Sequence, residues 1–268
     1  MSTGPEWLAP ASVDEALAVR AERREAATVV AGGTFVGILV NSRLLVPEAF
    51  LSLQRLAELD YVHSGSDLRL GALTTHRTVE LSPEVRAGWP ALAEAFSVVA
   101  SPRVRNQATV GGVLADADYA SDPPSMFVAL GARAVVRSVR GEREVPVEEL
   151  VTGFYETSLA PDELLVAVVV PGGKHRATYR KFCSRSHEER PAVGVAACRR
   201  PGGLRVVVGA VAGTPQLLPE LCDPEAAPAD VARGYAEAID PISDISGSAD
   251  YRRRVIEVEV RRALEEVS

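Results

Sequence analysis

The chain has 268 residues, 47% hydrophobic and 24% charged: enough apolar material for two domains with buried interiors, and too much for a largely disordered chain. A formal net charge of −7 gives no whole-molecule positive field to attract nucleic acid or an anionic membrane. No apolar run approaches the ~20 residues that span a bilayer, and Met1 to Trp7 lack the basic and apolar regions of a signal peptide, so a cytoplasmic protein without membrane insertion is expected.

In chain order, Ser12 to Arg24 reads as a helix opened by Ser12 with Glu15 at capping-box spacing, followed by Val13, Ala16, Leu17 and Val19 or Arg20. Ala27 to Ala31 is a short β-branched strand that breaks at Gly32-Gly33-Thr34 before the apolar run Phe35 to Val40: strand, glycine loop, helix. Leu44 to Leu53 has strand composition with Pro47 inside it, which places it at a sheet edge or in two pieces. A new lobe starts near residue 60. There Leu68 to Ala72 alternates like a strand, Ser82-Pro83-Glu84 opens a helix, and Ala91 to Ala100 keeps helical spacing up to a stop before Pro102. Ala108-Thr109-Val110 reads as a strand entering a second glycine loop, Gly111-Gly112; Pro123 to Leu130 then reads as a buried helix and Ala134 to Arg137 as a strand. Past Pro171-Gly172-Gly173 a third lobe carries strand signals at Ala177 to Phe182, Ala192 to Cys198 and Leu204 to Val211. Ser248 caps a closing helix with Tyr251, Val255, Val258, Ala263 and Leu264 as its apolar stripe and Arg252 to Arg254 facing water.

The candidate chemistry centres on the two glycine loops. Successive N–H groups exposed by glycine can form a nest for phosphate oxygens, and a pyrophosphate would suit two such loops; ordinary turn chemistry is the better account of either loop alone, and the occurrence of the pair weakens it. Neither loop matches GxGxxG or GxxxxGK[ST]. Arg103, Arg105 and Asn106 would lend charge near a bound anion or form a solvated basic turn, and one carboxylate of Asp116, Asp118 or Asp122 would accept bonds from ribose hydroxyls. His63, His76, His175 and His187 are scattered with no HExxH and read as surface or capping residues; there is no GxSxG elbow. Cys183, Cys198 and Cys222 form no CxxC pair and cannot supply four thiolates, so any iron–sulfur cluster must sit on another chain.

Four segments carry a resemblance: Ala31-Gly32-Gly33-Thr34; Leu70-Gly71-Ala72-Leu73-Thr74-Thr75-His76; Ser101 through Gly112, reading SPRVRNQATVGG; and Gly247-Ser248-Ala249-Asp250-Tyr251-Arg252-Arg253. In order and spacing, over nearly the whole chain, they resemble the FAD-binding subunit of molybdenum hydroxylases, of the carbon monoxide dehydrogenase and xanthine dehydrogenase flavoprotein type. The resemblance implies an α+β fold: two lobes of the vanillyl-alcohol-oxidase (PCMH) type over residues 1–58 and 59–171, and a C-terminal flavoprotein domain over 172–268 with a small three-stranded antiparallel sheet and helices. It implies FAD as cofactor, with Ala31, Gly32, Gly33, Thr34 and Phe35 and then Thr109, Val110, Gly111, Gly112 and Val113 at the pyrophosphate, Asp122 at the adenosine ribose, Leu165 at the adenine and Lys181 near the flavin ring. It also implies a hetero-oligomer, in which a large molybdopterin subunit and a small subunit with [2Fe–2S] clusters deliver electrons that leave the flavin for NAD⁺, a quinone or O₂. The flavin would supply the redox step, so no protein nucleophile is needed.

Three positions depart from the family pattern. Phe35 stands for an acidic or polar residue, Val113 for Asn or Asp, and Tyr119 for proline. Val113 removes a side-chain hydrogen bond of about 0.5–1.5 kcal/mol. A stand-alone FAD oxidase or dehydrogenase, and a flavin-free binding module with a closed site, are the readings these departures leave open.

Overall fold

The computed structural model describes residues 4–186 and 188–268, so Met1, Ser2, Thr3 and His187, with the expectations that fall on them, lie outside the described residues. The N-terminal segment forms β1 (Glu6–Leu8), α1 (Val13–Arg23), β2 (Ala27–Val30), α2 (Thr34–Asn41) and β3 (Ala49–Ser52). At the start of α1 the Glu15 N–H donates to the Ser12 hydroxyl at 3.2 Å, while the Glu15 carboxylate accepts the Ala11 N–H at 2.8 Å. The expected capping box thus closes one residue further back. The strands pair in parallel in the order β1-β3-β2. The strand expected over Leu44 to Leu53 is confined to β3 and lies in the centre of this sheet, because it begins past Pro47, whose missing N–H is then not needed by the ladder.

The second lobe runs through β4 (Val62–Ser64), β5 (Leu68–Gly71), α3 (His76–Leu81), α4 (Pro83–Gly88), α5 (Pro90–Ser97), α6 (Pro102–Arg105), α7 (Val110–Ala115), α8 (Asp122–Ala129), β6 (Arg133–Ser138), β7 (Gly141–Pro146), α9 (Val147–Leu150), β8 (Val151–Gly153), β9 (Glu156–Thr157) and β10 (Leu164–Val170). Its antiparallel sheet has the order β4-β5-β10-β6-β7. Every residue of central β10 is buried, as its unbroken apolar sequence demands. A bulge between Leu165 and Ala167 shifts its alternation. As a result Leu165, Val168 and Val170 pack with Phe96 and Phe127, while Leu164, Val166, Ala167 and Val169 pack with Val13, Leu17 and Leu51 of the first lobe.

The strand reading at Ala108 to Val110 is corrected. Pairing there amounts to one bridge between Thr75 and Thr109, and Thr109 is the N-cap of α7, its hydroxyl accepting the Gly112 N–H at 3.1 Å. Gly111 and Gly112 therefore sit in the first turn of a helix, because a β-branched hydroxyl residue caps a helix as readily as it ends a strand.

The C-terminal segment forms β11 (Arg176–Phe182), β12 (Val193–Arg200), β13 (Gly203–Gly209), β14 (Gln216–Leu217), α10 (Pro228–Ala238) and α11 (Ala249–Val267). The three expected strands gain short β14 at the edge, in the antiparallel order β11-β12-β13-β14. Val193, Val195 and Ala197 face α10 and α11, while Ala196 and Cys198 on the opposite face join the core of the second lobe. Ser248 caps α11 as expected, but the stripe is rotated: Tyr251 and Val258 are exposed, whereas Arg252 is 1% exposed. The Arg252 guanidinium donates to the Ala210 carbonyl at 2.5 Å and pairs with Asp244 at 2.6 Å, so a buried acceptor set turns inward an arginine that composition alone assigns to water. The whole is the mixed α+β architecture expected, with no closed barrel among the described residues.

Candidate functional site

A cleft of about 920 Å³ opens between the lobes, near the upper end of the size range for pockets that enclose small ligands. The first lobe lines it with Ala31 to Val36 and Leu39, the second with Thr109, Gly111 to Val113, Asp116, Asp118, Asp122 and Leu165, and the C-terminal segment with Lys181 and Arg190. Of the residues that the resemblance assigns to the cofactor, all but one therefore reach a single cavity. The exception is Val110, fully buried in the core of the second lobe and absent from the lining.

The glycines explain how the two segments meet. A Cβ on Gly32 would lie 1.8 Å from the Gln107 carbonyl oxygen, so only glycine lets the first loop rest on the backbone ahead of α7. Gly33 has φ +69°, a left-handed turn that starts α2 abruptly. The first N–H groups of a helix have no intrahelical partner, and no described side chain caps α2, so the amides of Thr34, Phe35 and Val36 remain available at the cleft. None of the apolar residues of α2 is fully buried; Phe35, Val36, Ile38 and Leu39 line the cavity instead.

The second segment differs in kind. Its amides are taken within the fold: Val110 N–H donates to Thr74 O at 2.9 Å, Gly111 N–H to Ala72 O at 2.8 Å, Gly112 N–H to the Thr109 hydroxyl at 3.1 Å and Val113 N–H to Thr109 O at 3.0 Å. The expected second amide nest is therefore a wall fastened to the loop at residues 72–74, and of the two glycine segments only the first leaves amides free at the cleft.

Charged groups gather where the C-terminal sheet meets the second lobe. Lys181 Nζ donates to Asp122 at 3.0 Å and to Val98 O at 2.8 Å, and the Tyr179 hydroxyl donates to the other Asp122 oxygen at 2.8 Å. Asp122 and Lys181, expected at opposite parts of a dinucleotide, are thus in direct contact. Burial pushes Asp122 up to about 6 against the opposing pull of Lys181 and Tyr179. Asp116, among the cleft residues, is pushed up to about 7 by burial and then by Asp118, which itself holds Arg190 at 2.6 Å. His76 is buried, bonded through Nε2 to Thr109 O at 3.3 Å and pushed down to about 4 chiefly by burial, so it is neutral and not a surface residue.

Arg105 also departs from expectation. It is buried, pairs with Glu80 at 2.9 Å and donates to the carbonyls of Val99 and Ala100, both at 2.9 Å. It shapes the cleft wall at those two residues instead of meeting an anion, and Arg103 and Asn106 are exposed outside the lining. Among lining residues that sequence reading missed, Arg20, Thr28, Val99, Tyr155, Thr157 and Pro161 belong to separate elements with no shared spacing. Phe35 and Tyr119 share one aromatic partner: Phe35 stacks on Tyr155 with ring centroids 5.7 Å apart and planes 10° from parallel, and Tyr119 stands edge-on to Tyr155 at 6.2 Å.

Comparison with known proteins agrees with this geometry. A family model described as the FAD binding domain in molybdopterin dehydrogenase matches residues 2–173. The nicotine 6-hydroxylase medium subunit of Paenarthrobacter nicotinovorans is 33% identical over 97% of this chain and 96% of its own length. The carbon monoxide dehydrogenase medium chain of Hydrogenophaga pseudoflava is 31% identical over 97% of this chain and 95% of its own. Among solved structures, quinoline 2-oxidoreductase from Pseudomonas putida 86 superposes with a TM-score of 0.91 at 29% identity, covering 100% of this chain and 98% of that one. Reconstituted carbon monoxide dehydrogenase from Oligotropha carboxidovorans gives a TM-score of 0.93 at 28% identity, with the same coverage of 100% and 98%. Among the described residues, no helix is long and apolar enough to cross a membrane.

Proposed function

Because the chain belongs to the FAD-binding family of molybdenum hydroxylase medium subunits, we propose that it is the electron-transfer subunit between a small iron–sulfur chain and an external acceptor such as NAD⁺, a quinone or O₂. Family membership makes it an FAD-binding subunit of an oxidoreductase. The observation that supports the finer reading is the ~920 Å³ cleft between the lobes, entered by an uncapped helix start and large enough for an extended dinucleotide. The site fits the cofactor: at Gly32 the space a Cβ would need is filled by the Gln107 backbone, and the amides beyond Gly33 offer a positive pole to a phosphate. When bound, FAD supplies the redox chemistry, taking electrons from the partner's [2Fe–2S] clusters and yielding them to the acceptor.

The protein's own residues bind, orient and exclude water. The first-loop amides from Gly33 onward would hold the pyrophosphate, with Thr109, Gly111, Gly112 and Val113 as the facing wall. Asp122 and Lys181 would act as one polar unit, and Leu165 would give an apolar surface. Lys181 is almost fully buried, so its ammonium would act at short range in a site of low polarity. The same reading divides the chain at 58/59 and 171/172, places it in the cytoplasm and gives it a large molybdopterin subunit as second partner.

Purification of the tagged protein from its own host, with assay of FAD, molybdenum, iron and co-eluting chains, tests this reading. FAD with both metals and two further subunits is expected. FAD on a lone chain without metals would replace it with a stand-alone flavoenzyme, and a colourless chain that rejects FAD would leave a binding module.

A further inference from the structure

Phe35 and Tyr119 are two of the three family departures, and the structure joins them through a ring from a third element. Phe35 lies in the first turn of α2, where its backbone belongs to the uncapped start, and its side chain crosses the cleft to stack on Tyr155 at 5.7 Å. Tyr155 occupies the turn between β8 and β9 with φ +58°, which a non-glycine residue rarely adopts, and is fixed by its N–H donating to Ala117 O at 3.0 Å. Behind it Tyr119 is edge-on to both Tyr155 and Phe154, at 6.2 and 5.3 Å, and its hydroxyl donates to Asp244 at 3.1 Å, the partner of buried Arg252. From the C-terminal segment Gly213 leaves room for the Phe154 ring, which a Cβ there would approach to 3.0 Å. The turn is therefore braced on one side by the C-terminal segment and presents its aromatic ring to the first lobe on the other.

We propose that Phe35 and Tyr155 form an aromatic strap tying the two lobes across the cleft, which sets the rate at which FAD enters and leaves, with Tyr119 as its anchor. The stack links the loop that offers amides to the opposite side of the cleft, so the mouth between Phe35 and Tyr155 opens only when the rings separate. In place of the polar side chain usual at position 35, this chain retains its cofactor by an inter-lobe contact. The inference rests on the reading of this cleft as the FAD site.

The test is the dissociation rate of FAD from the loaded protein, read from recovered flavin fluorescence, for wild type, Phe35→Leu, Tyr155→Leu, the double variant and Tyr155→Phe. Each leucine variant keeps apolar bulk but loses the stack, and release about 3–10-fold faster is expected. The double variant should be no faster than the faster single, since either change breaks the same contact, and Tyr155→Phe should stay within about twofold of wild type because stacking needs no hydroxyl. Unchanged release in folded leucine variants, or Tyr155→Phe releasing as fast as Tyr155→Leu, overturns the strap. Wild type that takes up no FAD overturns the reading of the cleft instead, and the strap with it.

Discussion

Replacing Gly32 by alanine tests the contact on which the cleft is built. The added Cβ would stand 1.8 Å from the Gln107 oxygen and 2.6 Å from its carbonyl carbon, both backbone atoms that no rotamer change can move. Ordinary contact requires about 3.3 Å or more, so the first loop and the approach to α7 must separate by ~1.5 Å, several times the ~0.5 Å tolerance of a preorganised site. Overpacking of this kind costs about 1–3 kcal/mol, and the upper figure corresponds to a drop in Tm of roughly 6–12 °C for a chain of this size. FAD affinity should fall by at least ~10-fold, because the amides of α2 move with the loop. Gly33→Ala is the internal comparison: its nearest neighbour would be 3.7 Å away, so it meets only the left-handed strain at φ +69°, about 1–2 kcal/mol. Thermal denaturation and fluorescence titration with FAD would read both. Gly32→Ala binding FAD like wild type with an unchanged Tm would refute the close-contact argument.

Further expectations concern the buried charges. Asp122 titrates near 6 in the fold against ~3.9 unfolded, so its contribution to stability is complete below pH ~4 and is lost, on the order of 3 kcal/mol, as pH rises through 6. Urea denaturation from pH 4 to 7 should show wild type losing stability relative to Asp122→Asn, and parallel curves would count against the burial argument. His76 runs oppositely: with a folded value of about 4 against ~6.5 unfolded, its contribution is complete above pH 6.5 and is lost as pH falls through 4, so His76→Asn should flatten that acid limb. Asp116→Asn should gain on wild type as pH rises through about 7, and a pH-independent difference would exclude that ionisation. Arg252→Ala leaves the buried Ala210 carbonyl without its donor and Asp244 without its partner, and should cost about 1.5–3 kcal/mol by denaturant titration, whereas an exposed arginine would cost almost nothing.

Most elements were legible in the sequence because local chemistry decides them: Ser12, Ser82 and Ser248 cap the helices they were expected to cap. Reading failed where tertiary partners decide. Thr109 caps a helix that its own β-branching and that of Val110 disguise as a strand, and Arg252 turns inward because Ala210 and Asp244 wait for it. The first loop could be singled out from Gly32-Gly33, but nothing local reveals that the amides of Val110 and Gly111 are consumed by residues 72–74, or that Tyr155, far along the chain, meets Phe35. The contact between Asp122 and Lys181 was equally hidden, since it forms only when the C-terminal sheet packs on the second lobe.

The bulge in β10 has a consequence for how the protein comes apart. One strand feeds residues from its two faces into two cores, so the first lobe's interior is completed from outside it: Val13, Leu17 and Leu51 share a core with Leu164, Val166, Ala167 and Val169, which arrive more than a hundred residues later. Residues 59–171 produced alone would expose that face, and the first lobe produced alone would lack its floor. Hydrogen exchange should accordingly find the two lobes unfolding as one cooperative unit, so that during synthesis the cofactor cradle cannot set until nearly two thirds of the chain has been made.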